Sequence, residues 1–449
     1  MLSNKLAEFI TSLKYEELPT AVQELSVICI LDWYGSALRG SLEPPAHMVA
    51  EILAAEGGNP LASFIGFKKK GAALGAALIN GVSSHTLELD DLHRASILHP
   101  AAPIIPAAIA AAEKAGVSGK TLLEGIVVGY ETAIRIGEAV NPSHYYYWHT
   151  TGTCGTFGAA AAAAKILGLS PEAVVSALGS AGTQAAGLWE FHQDAAMSKH
   201  LHAGKAAANG LLAAYLAEKG FTAATRILDG EKGFFNAFAP DYDPAKVTTA
   251  LGEDFRMLDN SFKLHSSCRH THGGVDLILE LKQEGIKPHQ VKEICYQTYK
   301  EAVGLVGNKT PSTPFQARFS LPYCGAAAFL FGKLGLGEFN RENLENPLLT
   351  KLMNLSRVET SDWADQRYPG QWSTRLLCKL EDGTLIKRQT ENPRGDPENP
   401  LTKEELEAKY LDMVSACLSE EEARFMLAKI SNLAHLSSVS DLFTGKGDA

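Results

Sequence analysis

Apolar residues recur every three to four positions through the first half of the chain, which is the pattern of amphipathic helices. The clearest case places on one helical face Leu122, Ile126, Val127, Tyr130 and Ile134. This spacing predicts a helix over residues 118–140, and Ser170 followed by Pro171 predicts the start of another. We expect the chain to be helical throughout from residue 1 to about 255.

The pattern changes after residue 262. Residues 291–298 have strand character, and residues 375–380 and 384–389 flank Asp382-Gly383, a strong hairpin signal. Helical stretches are predicted between these strands, at residues 274–284 and 325–334. Residues 399–433 are again helical, with a predicted capping box between Thr402 and Glu405.

The predicted fold class is mainly α with a smaller α+β domain. A chain of 449 residues exceeds the size at which one hydrophobic core stops growing, so two domains are expected. We assign residues 1–260 plus 395–449 to a large helical domain built from both chain ends. Residues 261–394 form the smaller α+β domain.

Composition and charge argue against several functional classes and cellular locations. A net charge of -10 and a pI near 5.8 argue against a nucleic-acid surface. No segment approaches the roughly 18 apolar residues of a membrane helix, and the first residues lack the features of a secretory signal. The seven cysteines include no CxxC pair, which favours reduced thiols. These features predict a cytoplasmic protein.

Two clusters of histidines precede predicted helices. The run LELDDLHRASILHP contains Asp90, Asp91, His93 and His99. Carboxylates beside imidazoles suit acid–base chemistry near neutral pH, although a helix-terminal charge patch is an equal alternative. The run NPSHYYYWHTTGTCGTFG contains His144, Tyr145, Trp148, His149, Thr150 and Thr151. It is either an anion-binding helix start or an aromatic plug in the core.

Three later segments offer cations. AAMSKHLHAGKAAANG contains Lys199, His200, His202 and Lys205, where an ordinary exposed lysine is the alternative. KLHSSCRHTHGGVD contains Cys268, Arg269, His270 and His272. Arg269 can bind a carboxylate through its planar fork, whereas zinc binding and cysteine–histidine catalysis have weak support. ARFSLPYCGAAA contains Arg318, Ser320 and Tyr323, in what is otherwise a strand-to-helix turn.

No phosphate-binding loop, dinucleotide fingerprint or iron–sulfur cysteine spacing accompanies these clusters. We therefore expect proton transfer on a small anionic substrate, with no cofactor and no metal.

These segments, together with ENPRGDPENPLTKEELEAKY, resemble the signature segments of the MmgE/PrpD family in the same order. The family includes 2-methylcitrate dehydratase, cis-aconitate decarboxylase and iminodisuccinate epimerase. The resemblance implies a helical domain built from both chain ends, a smaller α+β domain, catalysis without an iron–sulfur cluster, and a homodimer. Two departures affect the pocket: His93 stands where several members differ, and Trp148-His149-Thr150 replaces a more usual Phe-His-Pro.

The resemblance also implies roles for individual residues. The catalytic candidates are His99, His149, Lys199, Asp91 and Tyr323. The substrate-binding candidates are His93, Arg269, His272, Tyr145, Thr150 and Lys205. Lys199 and Arg269 would bind carboxylates, and His99 and His149 would form the acid–base pair.

The first functional hypothesis is a lyase of the 2-methylcitrate dehydratase type that moves a proton next to a carboxylate. The alternatives are a decarboxylase of the cis-aconitate type and an epimerase of a dicarboxylate such as iminodisuccinate. A non-catalytic carboxylate-binding relative is the alternative from another class.

Overall fold

A computed structural model describes residues 1–194, 196–440 and 442–443. Its α-helices, numbered in chain order, are α1 (Leu2–Ser12), α2 (Thr20–Gly40), α3 (Pro44–Glu56), α4 (Ala73–Ser84), α5 (Ala101–Ala115), α6 (Gly119–Val140), α7 (Thr150–Ile166), α8 (Pro171–Gly182), α9 (Phe191–Asp194), α10 (Ser198–Glu218), α11 (Phe234–Phe238), α12 (His272–Gln283), α13 (Lys300–Val306), α14 (Pro314–Arg318), α15 (Leu321–Phe331), α16 (Arg341–Leu344), α17 (Pro347–Asn354), α18 (Asp362–Asp365), α19 (Lys403–Val414) and α20 (Glu420–Ser431).

The strands are short and few by comparison: β1 (Ala62–Phe64), β2 (Lys69–Gly71), β3 (Leu92–His93), β4 (Asn260–Ser261), β5 (Val291–Thr298), β6 (Ser356–Thr360), β7 (Thr374–Leu380) and β8 (Leu385–Thr390). Single turns of 3₁₀ helix occur at Tyr15–Glu17, Ser143–Tyr146, Pro244–Val247, Arg256–Asp259, Arg269–Thr271, Pro288–Gln290, Leu336–Glu338 and Leu433–His435.

The chain divides into two compact units. The large unit comprises Met1–Thr86, Asp90–Asn260 and Thr402–Ala449, and the small unit comprises Leu87–Leu89 and Ser261–Leu401. The predicted fold class is confirmed: a large helical unit built from both chain ends accompanies a small α+β unit. The domain extents predicted from sequence stay predictions, and residues 441 and 444–449 within them lie outside the described residues.

The large unit is organised around α7, whose residues are all buried. Helices α5, α6 and α10 pack against it. This close packing needs small residues, because a Cβ atom on Gly158 would come within 2.7 Å of the Gly129 carbonyl oxygen on α6. The first residues of α7 and α10 are thereby held near one another, and both helices carry candidate site residues.

Local signals in the sequence explain several helix ends. Ser170 accepts a hydrogen bond from the Ala173 amide at the start of α8, and Gly116 ends α5 in the left-handed conformation. Thr402 and Glu405 form the predicted capping box of α19. The predicted helix over 399–433 is, however, two helices, α19 and α20. Ser419 caps the second of them through its own box with Glu422.

The small unit contains a four-stranded sheet in the order β6-β5-β7-β8. Strand β5 pairs parallel to β6 and antiparallel to β7, and β7 and β8 form the hairpin predicted around Asp382-Gly383. The expectation of helix throughout residues 1–255 was wrong in two places: β1 and β2 form an antiparallel hairpin within the large unit, and β3 follows α4. None of the helices in the described ranges has the length and apolarity needed to cross a bilayer.

Candidate active site

The loop between α4 and α5 brings a buried carboxylate against two imidazoles. His85 Nδ1 lies 2.6 Å from Asp90 Oδ2, and His99 Nδ1 lies 3.3 Å from the same oxygen. Burial opposes charge on Asp90, but the two histidines outweigh it and hold the pKa of the carboxyl well below its usual value. Asp90 is therefore an anion that polarises both rings.

His99 has a defined tautomer in this arrangement. Its Nδ1 also lies 2.7 Å from the backbone oxygen of Asp91, which can only accept a hydrogen bond. The ring proton of neutral His99 therefore resides on Nδ1, and Nε2 carries the lone pair. In this form His99 is equipped to act as a base through Nε2.

The same three side chains have the donor types of a divalent-metal site. The ligand atoms of His85, Asp90 and His99 all lie within 4.8 Å of one another. Ligands around tetrahedral zinc stand roughly 3.3 Å apart, whereas His85 and Asp90 are at the shorter distance of a hydrogen bond. The distances favour proton sharing, and a metal would have to separate this pair and displace the His99 bond to Asp91.

His149 lies directly before α7 and packs against His85 of this cluster. Its backbone amide donates to the Gly187 oxygen at 2.9 Å, which fixes the chain just ahead of the helix. Its ring stacks on His85 at a centroid distance of 5.5 Å, and its Nδ1 lies 3.2 Å from His202 Nδ1. Burial, followed by the neighbouring His85, lowers the pKa of His149 well below its usual value, so the ring is neutral at pH 7.

Lys199 adds a buried positive charge. It is the second residue of α10 and is 3% exposed. Its charge contributes, after burial, to the lowered pKa values of His149 and His202. Neither α7 nor α10 has a side-chain cap at its first turn, so backbone N–H groups add to the positive potential. This region of an acidic protein therefore favours an anion.

Aromatic side chains border the imidazoles. Trp189 lies with its ring centroid 5.3 Å from that of His149 and 4.8 Å from that of Tyr145. Tyr145 is half-buried. Thr150 is fully buried, and its hydroxyl accepts a hydrogen bond from the side-chain amide of Asn141 at 3.3 Å. Its hydroxyl therefore contacts the protein interior rather than a pocket. Lys205 is exposed on α10 and lines a neighbouring pocket of about 430 Å³.

Two predicted residues of the first loop have structural partners instead. Asp91 is fully buried and accepts hydrogen bonds from the Ala101 amide, the Tyr130 hydroxyl and the Asn260 amide. Burial raises the pKa of its carboxyl to about 7. These contacts anchor Asp91 within the large unit, its catalytic role stays a prediction, and the anion beside the histidines is Asp90.

His93 is also interior. Its Nδ1 lies 2.9 Å from Ser96 Oγ and its Nε2 lies 3.9 Å from Glu138 Oε1. Burial, together with the neighbouring Arg94 and Arg256, lowers the pKa of His93 to about 3. These contacts give no support to the predicted role in substrate binding.

The predicted residues of the small unit are held in an internal network. Arg269 pairs with Asp396, donates to the Arg394 backbone oxygen at 3.0 Å, and lies 2.9 Å from His272 Nδ1. The other nitrogen of His272 lies 3.4 Å from a backbone oxygen. Tyr323 is fully buried and donates its hydroxyl to the Glu338 backbone oxygen at 2.7 Å. The contacts of these three residues stabilise the unit and do not support the predicted catalytic and binding roles.

The small unit contains a buried ion pair that the sequence analysis missed. Lys263 Nζ lies 3.3 Å from Glu88 Oε2, and both side chains are almost fully buried. Glu88 adopts a φ of 58°, which is unusual for a residue other than glycine and costs backbone strain. A glutamate two residues before Asp90 was visible in the sequence, but nothing nearby in the chain indicated Lys263 as its partner.

The sequence analysis missed His85 and Trp189, and it named His202 without giving it a role in the site. His85 lies five residues before Asp90 and outside the run that was singled out. A histidine near the end of α4 followed by an aspartate in the next loop was the available signal. His202 and Lys199 stand three residues apart on α10, a spacing that places both side chains on one helical face.

Taken together, the large unit brings three kinds of group into one region. They are the anionic carboxylate of Asp90, the imidazoles of His85, His99 and His149, and the buried cation of Lys199. This set can bind a carboxylate, remove a proton through His99 and donate one through His149.

Comparison with known proteins agrees with this chemistry. A cis-aconitate decarboxylase-like protein, oryM, of Aspergillus oryzae is 29% identical over 98% of this chain and 95% of its own length. The cis-aconitate decarboxylases of Aspergillus terreus and Homo sapiens are 26% and 28% identical, over 98% and 99% of this chain and 95% and 94% of their own lengths.

Models of two protein-family domains match almost the whole chain. The MmgE/PrpD N-terminal domain matches residues 4–246, and the MmgE/PrpD C-terminal domain matches residues 265–433. The boundary between the two matches, from residue 246 to residue 265, includes residue 262, after which the predicted secondary structure changes from helical to mixed. On this evidence, the chain belongs to the MmgE/PrpD family.

Proposed function

We propose that the protein is a lyase that decarboxylates a small unsaturated tricarboxylic acid of the cis-aconitate type. The observation that carries the proposal is the convergence of His85, Asp90, His99 and His149 with buried Lys199. The names of the relatives favour decarboxylation over dehydration, which was the first hypothesis from the sequence.

The chemistry needs two functions from the protein. Lys199 and the amides at the first turns of α7 and α10 bind substrate carboxylates. The bond between a carbon and its carboxylate then breaks, carbon dioxide leaves, and the electron pair spreads over the adjacent double bond and carboxylate. His149 donates one proton to the resulting carbanion, which yields a dicarboxylic acid with one carbon fewer.

Dehydration of the 2-methylcitrate type is the second candidate. It needs a base for a carbon-bound proton and an acid for the leaving hydroxyl. His99 and His149 each contact the ring of His85, at centroid distances of 5.1 and 5.5 Å, and therefore form such a pair. Epimerisation of an imino dicarboxylate would use the same two groups on opposite faces of one carbon. A non-catalytic carboxylate binder would need Lys199 but not the imidazoles.

The deciding experiment is proton NMR of the EDTA-treated protein in D₂O with 2-methylcitrate, citrate, cis-aconitate and iminodisuccinate. We expect cis-aconitate to lose carbon dioxide and its product to carry one deuterium from solvent. Conversion of 2-methylcitrate instead would establish the dehydratase, and exchange at iminodisuccinate the epimerase. Binding without any conversion or exchange would contradict the enzyme proposal. Activity that EDTA removes and a divalent metal restores would contradict the expectation of metal-free catalysis.

The contribution of Lys199 is measured with a matched pair on α10. Lys199→Met should raise KM about 10- to 150-fold, because a hydrogen bond to a charged group contributes about 1.5–3 kcal/mol. Lys219→Met, at the exposed far end of the same helix, is the control and should leave KM unchanged. Equal KM values for the two variants would remove Lys199 from the binding site.

The homodimer implied by the family resemblance stays a prediction, and light scattering during size-exclusion chromatography tests it. The cytoplasmic location also stays a prediction.

A further inference from the structure

His149 faces a chemical difficulty as a proton donor. Its lowered pKa leaves it neutral, with a single ring proton. Giving that proton to a carbanion would leave an imidazolate anion unless a second proton reached the other ring nitrogen at the same time. The structure contains a group placed to supply that proton.

His202 lies one turn into α10, with its Nδ1 3.2 Å from Nδ1 of His149. Two nitrogens at this distance share one proton, since a second would repel the first and none would leave two facing lone pairs. Burial lowers the pKa of His202 to about 4, with His85 and Lys199 contributing, so His202 is also neutral at pH 7. When His202 donates through Nδ1, the proton of His149 must reside on Nε2.

His202 also borders open space. His149 is 1% exposed, whereas His202 is half-buried and lines the pocket of about 430 Å³ that also contains Lys205. Further residues around this pocket include Gln184, Leu188, Leu201 and Asn209. His202 therefore lies between a buried imidazole and a mostly apolar pocket whose polar lining residues include Gln184 and Asn209.

The backbone holds the two rings in this relation. Gly187 has a φ of 143° and accepts the His149 amide hydrogen bond. A Cβ atom at Gly187 would lie 3.2 Å from His202 Nδ1, so only glycine lets this segment pass so close to the ring. Gly187 thus fixes the backbone at His149 and limits the positions that the His202 ring can occupy.

We propose that His202 is a positioning residue that orients the proton of His149 and passes protons between His149 and the neighbouring pocket. This inference rests on the proposed function and deepens it. As His149 Nε2–H protonates the carbanion, the shared proton moves from His202 Nδ1 to His149 Nδ1. In the same step His202 Nε2 takes a proton from water in the pocket, so neither ring becomes an imidazolate, and a proton from solvent neutralises the hydroxide that is left.

The cycle resets after the product leaves. Water in the site returns a proton to His149 Nε2, the shared proton moves back to His202, and His202 releases its Nε2 proton to the pocket. One proton is consumed for each carbon dioxide released, as the reaction requires.

The pocket permits a test by chemical rescue. His202→Ala should lower kcat about 10²-fold, within the range for acid–base groups, and change KM less than threefold. Added imidazole should restore at least tenfold of the lost kcat, whereas 1-methylimidazole, which lacks a second exchangeable N–H, should not. His202→Gln keeps an amide donor towards His149 but cannot relay, so its kcat should stay as low as that of His202→Ala. Leu201→Ala lines the same pocket and is the control for its shape.

Three results would overturn the inference: a kcat of His202→Ala near that of wild type, equal rescue by both compounds, or no rescue by either. Full activity of His202→Gln would restrict His202 to orienting His149 and would overturn the relay. A second measurement is independent of turnover. In ¹⁵N-histidine-labelled protein, His149 should carry its proton on Nε2, and His202→Leu should change that pattern. An unchanged pattern would refute the positioning role even if the proposed reaction proves wrong, and a changed pattern would support it.

Discussion

Two segments with similar sequences differ in what their charges contact. SKHLHAGK begins α10 in the large unit, and CRHTHGG leads into α12 in the small unit. The charge of Lys199 acts on two neutral imidazoles, whereas that of Arg269 is matched by the buried carboxylate of Asp396. Similar local sequences therefore do not determine the electrostatic surroundings of the basic residue that they contain.

The largest effect is expected when the proton donor of the large unit is removed. His149→Ala should lower turnover about 10²–10⁴-fold, the range for a general acid or base. Steady-state release of carbon dioxide from cis-aconitate measures the effect. His435→Ala, at an exposed position far along the chain, serves as the control. Turnover of His149→Ala close to wild type would place the chemistry elsewhere.

A stability measurement tests the buried ion pair of the small unit. Arg269→Met should destabilise the fold by about 3–5 kcal/mol, because it leaves Asp396 buried without its partner. Urea unfolding measures the change. The double variant Arg269→Met/Asp396→Leu should recover part of it, since no charge then remains buried. An Arg269→Met protein with unchanged stability and a raised KM would instead restore the predicted role in carboxylate binding.

The pH dependence of the unfolding free energy tests whether His93 is buried in its neutral form. Its folded pKa of about 3 lies below the ordinary value of 6.5, so between these values the unfolded state binds more protons. Its contribution is therefore complete above pH 6.5 and is lost as pH falls. Between pH 7.5 and 5 the loss is about 2 kcal/mol.

His93→Asn should flatten the pH dependence of the unfolding free energy by that amount, whereas the exposed-site variant His435→Asn should follow wild type. Parallel curves for wild type and His93→Asn would show that His93 is not buried in its neutral form.

The sequence predicted the elements that local chemistry determines. The cap at Ser170, the box at Thr402 and the turn at Gly383 involve residues no more than a few positions apart, and all three were found. The hairpin of β1 and β2 lacked such a signal. Its turn carries Lys68 at a φ of 48° rather than an Asn-Gly pair.

The candidate site was predicted only in outline, because its roles depend on distant partners. Asp90 and Asp91 are adjacent and both fully buried, yet the first contacts histidines and the second contacts Tyr130 and Asn260. No local pattern distinguishes them, since Asn260 is 169 residues away. The ion pair of Arg269 was not predicted for the same reason: its acidic partner lies 127 residues later.

The burial of α7 has a consequence for how this enzyme could diversify. Its residues touch neighbouring helices on every side, and a methyl group at Gly158 would already collide with the Gly129 carbonyl. The helix that carries His149 at its start therefore tolerates almost no change of volume. Variation is easier outside this helix, for example at Tyr145 and Trp189, which are both half-buried and contact each other beside His149. The fold separates a part that evolution must keep from a part that it can vary.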